Sequence, residues 1–358
     1  MIQGWKTASK PAALLAFLSR VWPVVVLFPA ALHAHPLNDA YFNAEMQRYV
    51  RRIVDQSVMH NYARALELCL EIEQKYPEHP AGYFFRAAVL QSKMMDYENY
   101  DELDTFFELS QKALRLSRRD MRKHSRNSWP YFFAGASLGY QAFYHFREKN
   151  YLQAFRDGWN SIQMLNLVVE YDPQNYDAYL GIGAFKYYRS KYSRFLKMIP
   201  FVKDERQIGI ELIQKAIEHG KFAPVAAMNA LIWIYIEEKR FAEAEALVDS
   251  ALSLYPGSRF FLWGKAAAAY KRGALERAAR AYQTILQSYE SEEGPGSPYN
   301  EMVCHTMLAD IYQKLKSPGR AAEHATRALT YRINPPLQKR AKKFQKKAQQ
   351  ILKQLSGR

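Results

Sequence analysis

Two cysteines are all that this chain of 358 residues carries. That scarcity excludes the disulfide framework of a small secreted domain and any cysteine-rich metal module. Cys69 and Cys304 fall at opposite ends of the chain, each inside a helical pattern. A bridge between them would require the array to fold back on itself, so both are expected as free, buried thiols. Neither stands where a lipoprotein acceptor would. The sequence also lacks H-E-x-x-H, a phosphate-binding G-x-x-x-x-G-K and any histidine pair at metal-ligand spacing, which leaves no metal and no cofactor to argue for. His145, His219, His305 and His324 are scattered and read as ordinary surface or groove residues. Long uninterrupted apolar runs are also missing: Arg20 breaks the one candidate, which spans a bilayer only if that charge is accommodated.

Acidic residues are missing from two places, and this decides how the net charge of +15 is read. Three bases, Lys6, Lys10 and Arg20, stand in an N-terminal segment without acids, and eight more lie between Leu337 and Arg358, again without acids. The body between them is left with +4. The basicity is terminal, which argues against a nucleic-acid-binding body.

What the chain does contain is a repeat. In PVAAMNALIWIYIEEKRFAEAEALVDSALSLYP, from Pro224 to Pro256, Leu231, Tyr235, Ala244, Val248, Ala251 and Pro256 occupy relative positions 7, 11, 20, 24, 27 and 32 of a tetratricopeptide unit with a period of about 34 residues. Leu and Tyr fill the groove between paired helices, the two Ala let the second helix approach, and the Pro ends it. Leu308, Ala309, Tyr312, Ala321, Ala325 and Ala328 repeat the register. Such a pair cannot bury its own apolar faces, so neighbours must stack on it. The 25 Tyr and 20 Phe supply the bulk that packs against the small residues.

The expected fold class is therefore all-α: a tetratricopeptide-like α-solenoid of about seven helix pairs with a C-terminal capping helix, in which each pair touches its neighbours. Residues 1–34 read as a signal peptide or N-terminal anchor, with a basic start, apolar runs and Ala34 before the cut. Degenerate pairs occupy 35–127, the first carrying Ala65, Cys69, Ile72 and Pro77 at repeat spacing. The helix after Asp101 runs from acids to bases, as a helix dipole favours, and Met121–Asn127 is a short basic connector. Long pairs occupy 128–222. There Leu180 and Gly209 stand 29 residues apart where a standard repeat has about 13, which places an insertion at 189–206. Repeats resume over 223–333, broken by the polar Glu290–Pro298. A basic capping helix over 334–358 carries the stripe Leu337, Ala341, Phe344, Ala348, Ile351 and Leu355.

One stretch resembles a narrower family. Gly181-x-Gly183 with Phe185, Ser190 followed by a loop ending in Ile199-Pro200, then Asp204 and Gly209-x-x-x-Ile213, together resemble the eukaryotic inclusion-body-clearance, outer-mitochondrial-membrane family of tetratricopeptide proteins over residues 129–331. The resemblance implies a tetratricopeptide fold. It also implies work at the outer mitochondrial surface and in lipid-droplet or aggregate handling, whereas the N-terminal segment points to export, so only the fold is carried over.

Function is then expected from binding rather than catalysis. The chain reads as a non-enzymatic scaffold, exported to the periplasm or to a periplasm-facing membrane, that grips a protein or peptide with the first helices of successive pairs. Tyr140, Tyr144, Lys186, Tyr187, Tyr188 and Arg189 are the candidate partner-binding residues, because the repeat does not require them and they combine aromatic area with positive charge. A second reading makes the chain a scaffold on an anionic membrane surface, with Arg194, Phe195, Lys197, Lys342, Lys343, Lys346 and Lys347 in contact with it. A third takes Gly135-Ala-Ser137-Leu-Gly139 as the nucleophile elbow of a hydrolase. That motif needs a strand-to-helix turn, and Ser137 sits inside a helical period.

Overall fold

The computed structural model describes residues 40–195, 203–291 and 296–356, of which the side chains of 193–195 are left aside. The N-terminal segment read as a signal or anchor, the centre of the insertion and the middle of the Glu290–Pro298 break lie outside the described residues. Among them every regular element is a helix: α1 (Ala44–Val58), α2 (Tyr62–Lys75), α3 (Pro80–Tyr97), α4 (Leu103–Lys123), α5 (Ser128–Arg147), α6 (Tyr151–Tyr171), α7 (Asp177–Phe195), α8 (Arg206–His219), α9 (Pro224–Glu237), α10 (Phe241–Leu254), α11 (Arg259–Arg272), α12 (Leu275–Glu290), α13 (Pro298–Lys314), α14 (Pro318–Thr330) and α15 (Pro335–Ser356). These are seven pairs and a terminal helix, the tetratricopeptide-like solenoid that the spacing predicts.

The repeat positions do what their volumes suggest. Leu231, Tyr235, Leu308 and Tyr312 are buried on first helices, while Ala244, Val248, Ala251, Ala321, Ala325 and Ala328 are buried on second helices. Full burial of one such large side chain contributes about 2 kcal/mol. Both cysteines are buried, and neither forms a disulfide.

The turns within pairs share a geometry that periodicity does not reveal. His60, Glu98, Lys149, Lys239 and Lys316 all have positive φ, as does Gly273, and each stands between the two helices of its pair. In five of these turns the next residue's N–H reaches back five positions: Asn61 to Gln56, Asn150 to His145, Arg240 to Tyr235, Ala274 to Ala269 and Ser317 to Tyr312, at 2.8–2.9 Å. This bond satisfies a carbonyl that the helix end would leave open. Only Gly273 adopts the left-handed conformation without a side-chain cost, so the other five turns hold it through hydrogen bonding and packing.

Two boundaries differ from expectation. Helix α4 continues to Lys123, so Met121, Arg122 and Lys123 of the basic connector are its last turn. Helix α7 continues to Phe195, so the first part of the insertion is helix and not loop.

The chain divides into two compact units, with boundaries inside α1 to α4 and at the start of α9. The first comprises the described residues up to Tyr49, then Ile72–Phe84 and Phe107–Pro224. It is built around an aromatic cluster in which Phe42 lies 4.7 Å from Trp129, 5.4 Å from Phe133 and 5.4 Å from Phe222, centroid to centroid. The buried Asp177 carboxylate accepts the N–H groups of Lys221, Phe222 and Ala223 at 2.6–3.1 Å and so caps the turn after α8.

The second unit comprises Val50–Glu71, Phe85–Phe106 and Val225–Arg358. Arg259 opens α11, is 1% exposed, and forks onto Asp96 with nitrogen–oxygen distances of 2.6–3.2 Å. Asp96 also accepts Tyr62 Oη, and its carbonyl accepts Tyr289 Oη and Asn300 Nδ2. Ser258 Oγ donates to the Val58 carbonyl, Ser297 Oγ to that of Tyr97, and Arg340 pairs bidentately with Glu98. Each unit thus joins residues about 160–240 positions apart, where contact between sequence neighbours alone was expected. Periodicity registers packing between successive repeats; a charge that fits a distant carboxylate leaves no periodic trace.

Candidate functional site

Helix α7 and its junction with α8 carry four of the six residues singled out for partner binding. The two helices touch backbone to backbone. A Cβ on Gly183 would meet the Gly209 carbonyl oxygen at 2.6 Å, and one on Gly209 would meet the Gly183 oxygen at 2.6 Å and the Tyr187 nitrogen at 2.9 Å. A side chain at Gly181 would strike Leu165. The Gly-x-Gly signature is therefore a close helix crossing and not a ligand loop.

The far end of that crossing is pinned by Glu205. Its N–H donates to Ser190 Oγ at 2.9 Å, Lys186 Nζ reaches its carboxylate at 2.6 Å, and Arg189 joins the same carboxylate. Burial, then repulsion from Arg189, pulls the Lys186 ammonium below the usual lysine range, and burial lowers the Arg189 guanidinium. Two cations share one carboxylate, and Arg206 is engaged by Asp204 instead. Tyr188 and Tyr192 stack at 6.2 Å and 14°, with Lys191 Nζ near both rings and Arg189 5.5 Å from the Phe185 ring. The result is an aromatic group beside excess positive charge: Lys186 and Arg189 leave one charge over at Glu205, and Lys191 adds a second.

Two candidates are corrected. Tyr144 and Tyr187 are buried: Tyr187 lies against Gly209, and Tyr144 packs with Phe143 and Phe107. They are core because a large ring opposite a small or missing side chain is how these helices mesh. Tyr140 is half-buried against Phe84, and burial pushes its hydroxyl up to about 12. Tyr188 and Lys186 are likewise half-buried, and Arg189 is exposed.

Ser137 is buried in the middle of α5, and its Oγ has no hydrogen-bond partner. The flanking glycines face α6: Ser161 Oγ donates to the Gly135 carbonyl at 2.7 Å, and a Cβ on Gly139 would stand 3.1 Å from that same Oγ. The elbow-like motif is a helix-packing motif. Among the described residues no group of three or more His, Cys, Asp or Glu could hold a metal ion.

Arg194, Phe195 and Lys197 lie in the central part of the insertion, outside the described side chains. Lys342, Lys343, Lys346 and Lys347 line one shallow depression on α15 together with Gln350. Helix α15 buries Leu337, Ala341, Phe344, Ala348 and Ile351 and packs on α13 and α14. Lys347 is engaged by Asp310 at 3.0 Å, beside Lys314 at 2.8 Å. Burial opposes ionisation of Asp310, but hydrogen bonds from Lys314, Tyr270 and Lys347 hold its carboxyl below the usual range. No described helix is long and apolar enough to cross a membrane.

The structure adds two features. One is the Asp96–Arg259 pair, whose signal in the sequence is an arginine in the otherwise apolar turn RFFLW. The other is an exposed apolar group at the α5–α6 turn: Phe146, Tyr151, Leu152 and Trp159. Its signal is Leu152, Phe155 and Trp159 at steps of three and four, a second stripe on a helix that can bury only one.

No protein-family model and no curated protein matches the chain. Among solved structures it is similar to the C-terminal part of a TPR repeat-containing protein from Cytophaga hutchinsonii, at 19% sequence identity and a TM-score of 0.40, covering 83% of this chain and 98% of that one. It is similar to PilW, a widely conserved type IV pilus biogenesis factor, at 12% identity and a TM-score of 0.45, covering 67% of this chain and 91% of PilW. It is also similar to yeast Tom70, at 11% identity and a TM-score of 0.34, covering 87% and 91% of the two chains.

Proposed function

We propose that the protein is a non-enzymatic tetratricopeptide-like scaffold that binds an acidic segment of another protein on the surface of α7. The observation that carries this reading is the uneven charge at Glu205. One carboxylate serves both Lys186 and Arg189, beside the Tyr188–Tyr192 stack. Aromatic area next to an arginine is the composition of interface hot spots, and a carboxylate from a partner would complete the charge balance. Residues 1–34 support export, so the partner is sought in the cell envelope, on the periplasmic side.

A photo-crosslinking residue at position 188 of the full chain tests this in the cell. The expected result is an adduct with one protein, mapped to an acidic segment and lost when Lys186 and Arg189 are both replaced by Glu. Equal labelling from the exposed position 163 on α6 would defeat the proposal. Export is read separately, from cleavage of the N-terminal segment and from a periplasmic reporter fusion.

A further inference from the structure

Helix α6 has its large and polar residues on unexpected sides. Its inward face buries Ala154, Asp157, Ser161, Ile162, Leu165 and Val168, so the first two turns inside are small or polar. Asp157 is held there by Gln153 at 2.9 Å and lies 3.6 Å from His145. Outward on the same turns stand Tyr151 (46% exposed), Leu152 (74%) and Trp159 (37%), joined across the turn by Phe146 (43%). Phe146 and Tyr151 are 5.6 Å apart, and Phe155 stacks on Trp159 at 6.3 Å and 15°. Helical steps of three and four put Tyr151, Leu152, Phe155 and Trp159 along one face of α6, an apolar stripe of a kind that surfaces rarely leave uncovered.

Shape and charge select the occupant. Phe146 to Leu152 is the longest unbroken run of exposed residues among those described, and it forms the end of a helical hairpin. Such an end protrudes, whereas a peptide or partner helix needs a groove. Arg147, Lys149 and Arg156 rim the patch as exposed cations, and Glu148 is the one exposed acid between 146 and 159. Tryptophan, tyrosine, phenylalanine and leucine within a rim of cations is the composition that settles at the boundary between anionic headgroups and acyl chains.

We propose that the α5–α6 hairpin end is a docking surface for an anionic phospholipid bilayer, with Phe146, Tyr151, Leu152 and Trp159 entering the headgroup boundary and Arg147, Lys149 and Arg156 meeting lipid phosphates. It stands apart from the α7 reading: loss of the adduct at position 188 leaves it intact.

The test is flotation of the full chain with vesicles of phosphatidylglycerol and phosphatidylcholine, against phosphatidylcholine alone. Leu152→Glu, at a position open to water, is expected to weaken capture by the anionic vesicles about tenfold while leaving the helical circular dichroism unchanged. Added salt is expected to weaken wild-type capture. To separate this surface from any other contact, brominated lipid quenches tryptophan emission in wild type and in Trp159→Phe; the quenched signal is expected to fall when Trp159 is removed. Flotation unaffected by Leu152→Glu, or quenching unaltered in Trp159→Phe, overturns the proposal. So does self-association abolished by Leu152→Glu without vesicle capture, which would assign the patch to a second copy of the chain.

Discussion

The two units of this chain use different means to close residues that are distant in sequence. In the first, Phe42, Trp129, Phe133 and Phe222 meet edge to face, and glycine brings α7 and α8 into backbone contact. In the second, Arg259 and Asp96 are buried as a charged pair within a ring of Tyr62, Tyr97, Tyr289 and Asn300. The aromatic cluster tolerates small shifts, because its gain is spread over many contacts. The ion pair does not, because either half alone is a buried charge without compensation. The second unit should therefore fail more sharply when one side chain is removed.

Asp96→Ala is the largest expected effect. It strands Arg259 beside Tyr289 and should cost about 3–5 kcal/mol, read as a fall in the urea midpoint. Replacing both partners, with Asp96→Ala and Arg259→Met, should recover much of that loss. A cost below about 1 kcal/mol for the single change would erase the contrast between the units.

Acid should affect both units alike. Burial lowers His79 in the first unit and His305 in the second to about 4, the latter aided by repulsion from His324 and Arg327. His305 and His324 share a 2.9 Å contact between Nδ1 atoms. In each case the folded value lies below the unfolded value of about 6.5, so the unfolded chain binds more protons between the two. Stability is fully present above about 6.5 and is lost as pH falls toward 4, by on the order of 2 kcal/mol for each histidine. His79→Asn and His305→Asn should each flatten part of that slope in stability measured against pH.

Gly209→Ala probes the first unit's own device. Its Cβ would press on the Gly183 oxygen and the Tyr187 nitrogen, both backbone, so relief requires α7 and α8 to part. The expected cost is about 1–2 kcal/mol in thermal unfolding. Gly319→Ala in α14 is the smallest effect: nothing lies within 4 Å of the new methyl, and a change between zero and about 1 kcal/mol in the stabilising direction is expected. If the two glycine variants behave alike, close approach is not what holds α7 to α8.

Much of the architecture was legible in the amino-acid sequence. The recurrence of Leu, Tyr, Ala and Pro located the pairs from α9 to α14, and the stripe on α15 identified a helix with one buried face. The site was legible only in part. Lys186, Tyr188 and Arg189 do share a surface, but Tyr144 and Tyr187, with the same chemistry and spacing, are core. Helical periodicity says which residues share a face and not which face a neighbour covers. The same ambiguity hid the α6 patch, where Leu152, Phe155 and Trp159 could as well have been the buried stripe.

The sequence by itself determined the helix pairs, because side-chain volume at fixed intervals acts between residues that are near one another along the chain. Tertiary structure alone decided that Asp96 meets Arg259, that Phe42 meets Phe222, and that Glu205 answers two cations. Those matches depend on where distant helices come to lie, and a carboxylate shows no preference for its partner until folding has removed the water between them.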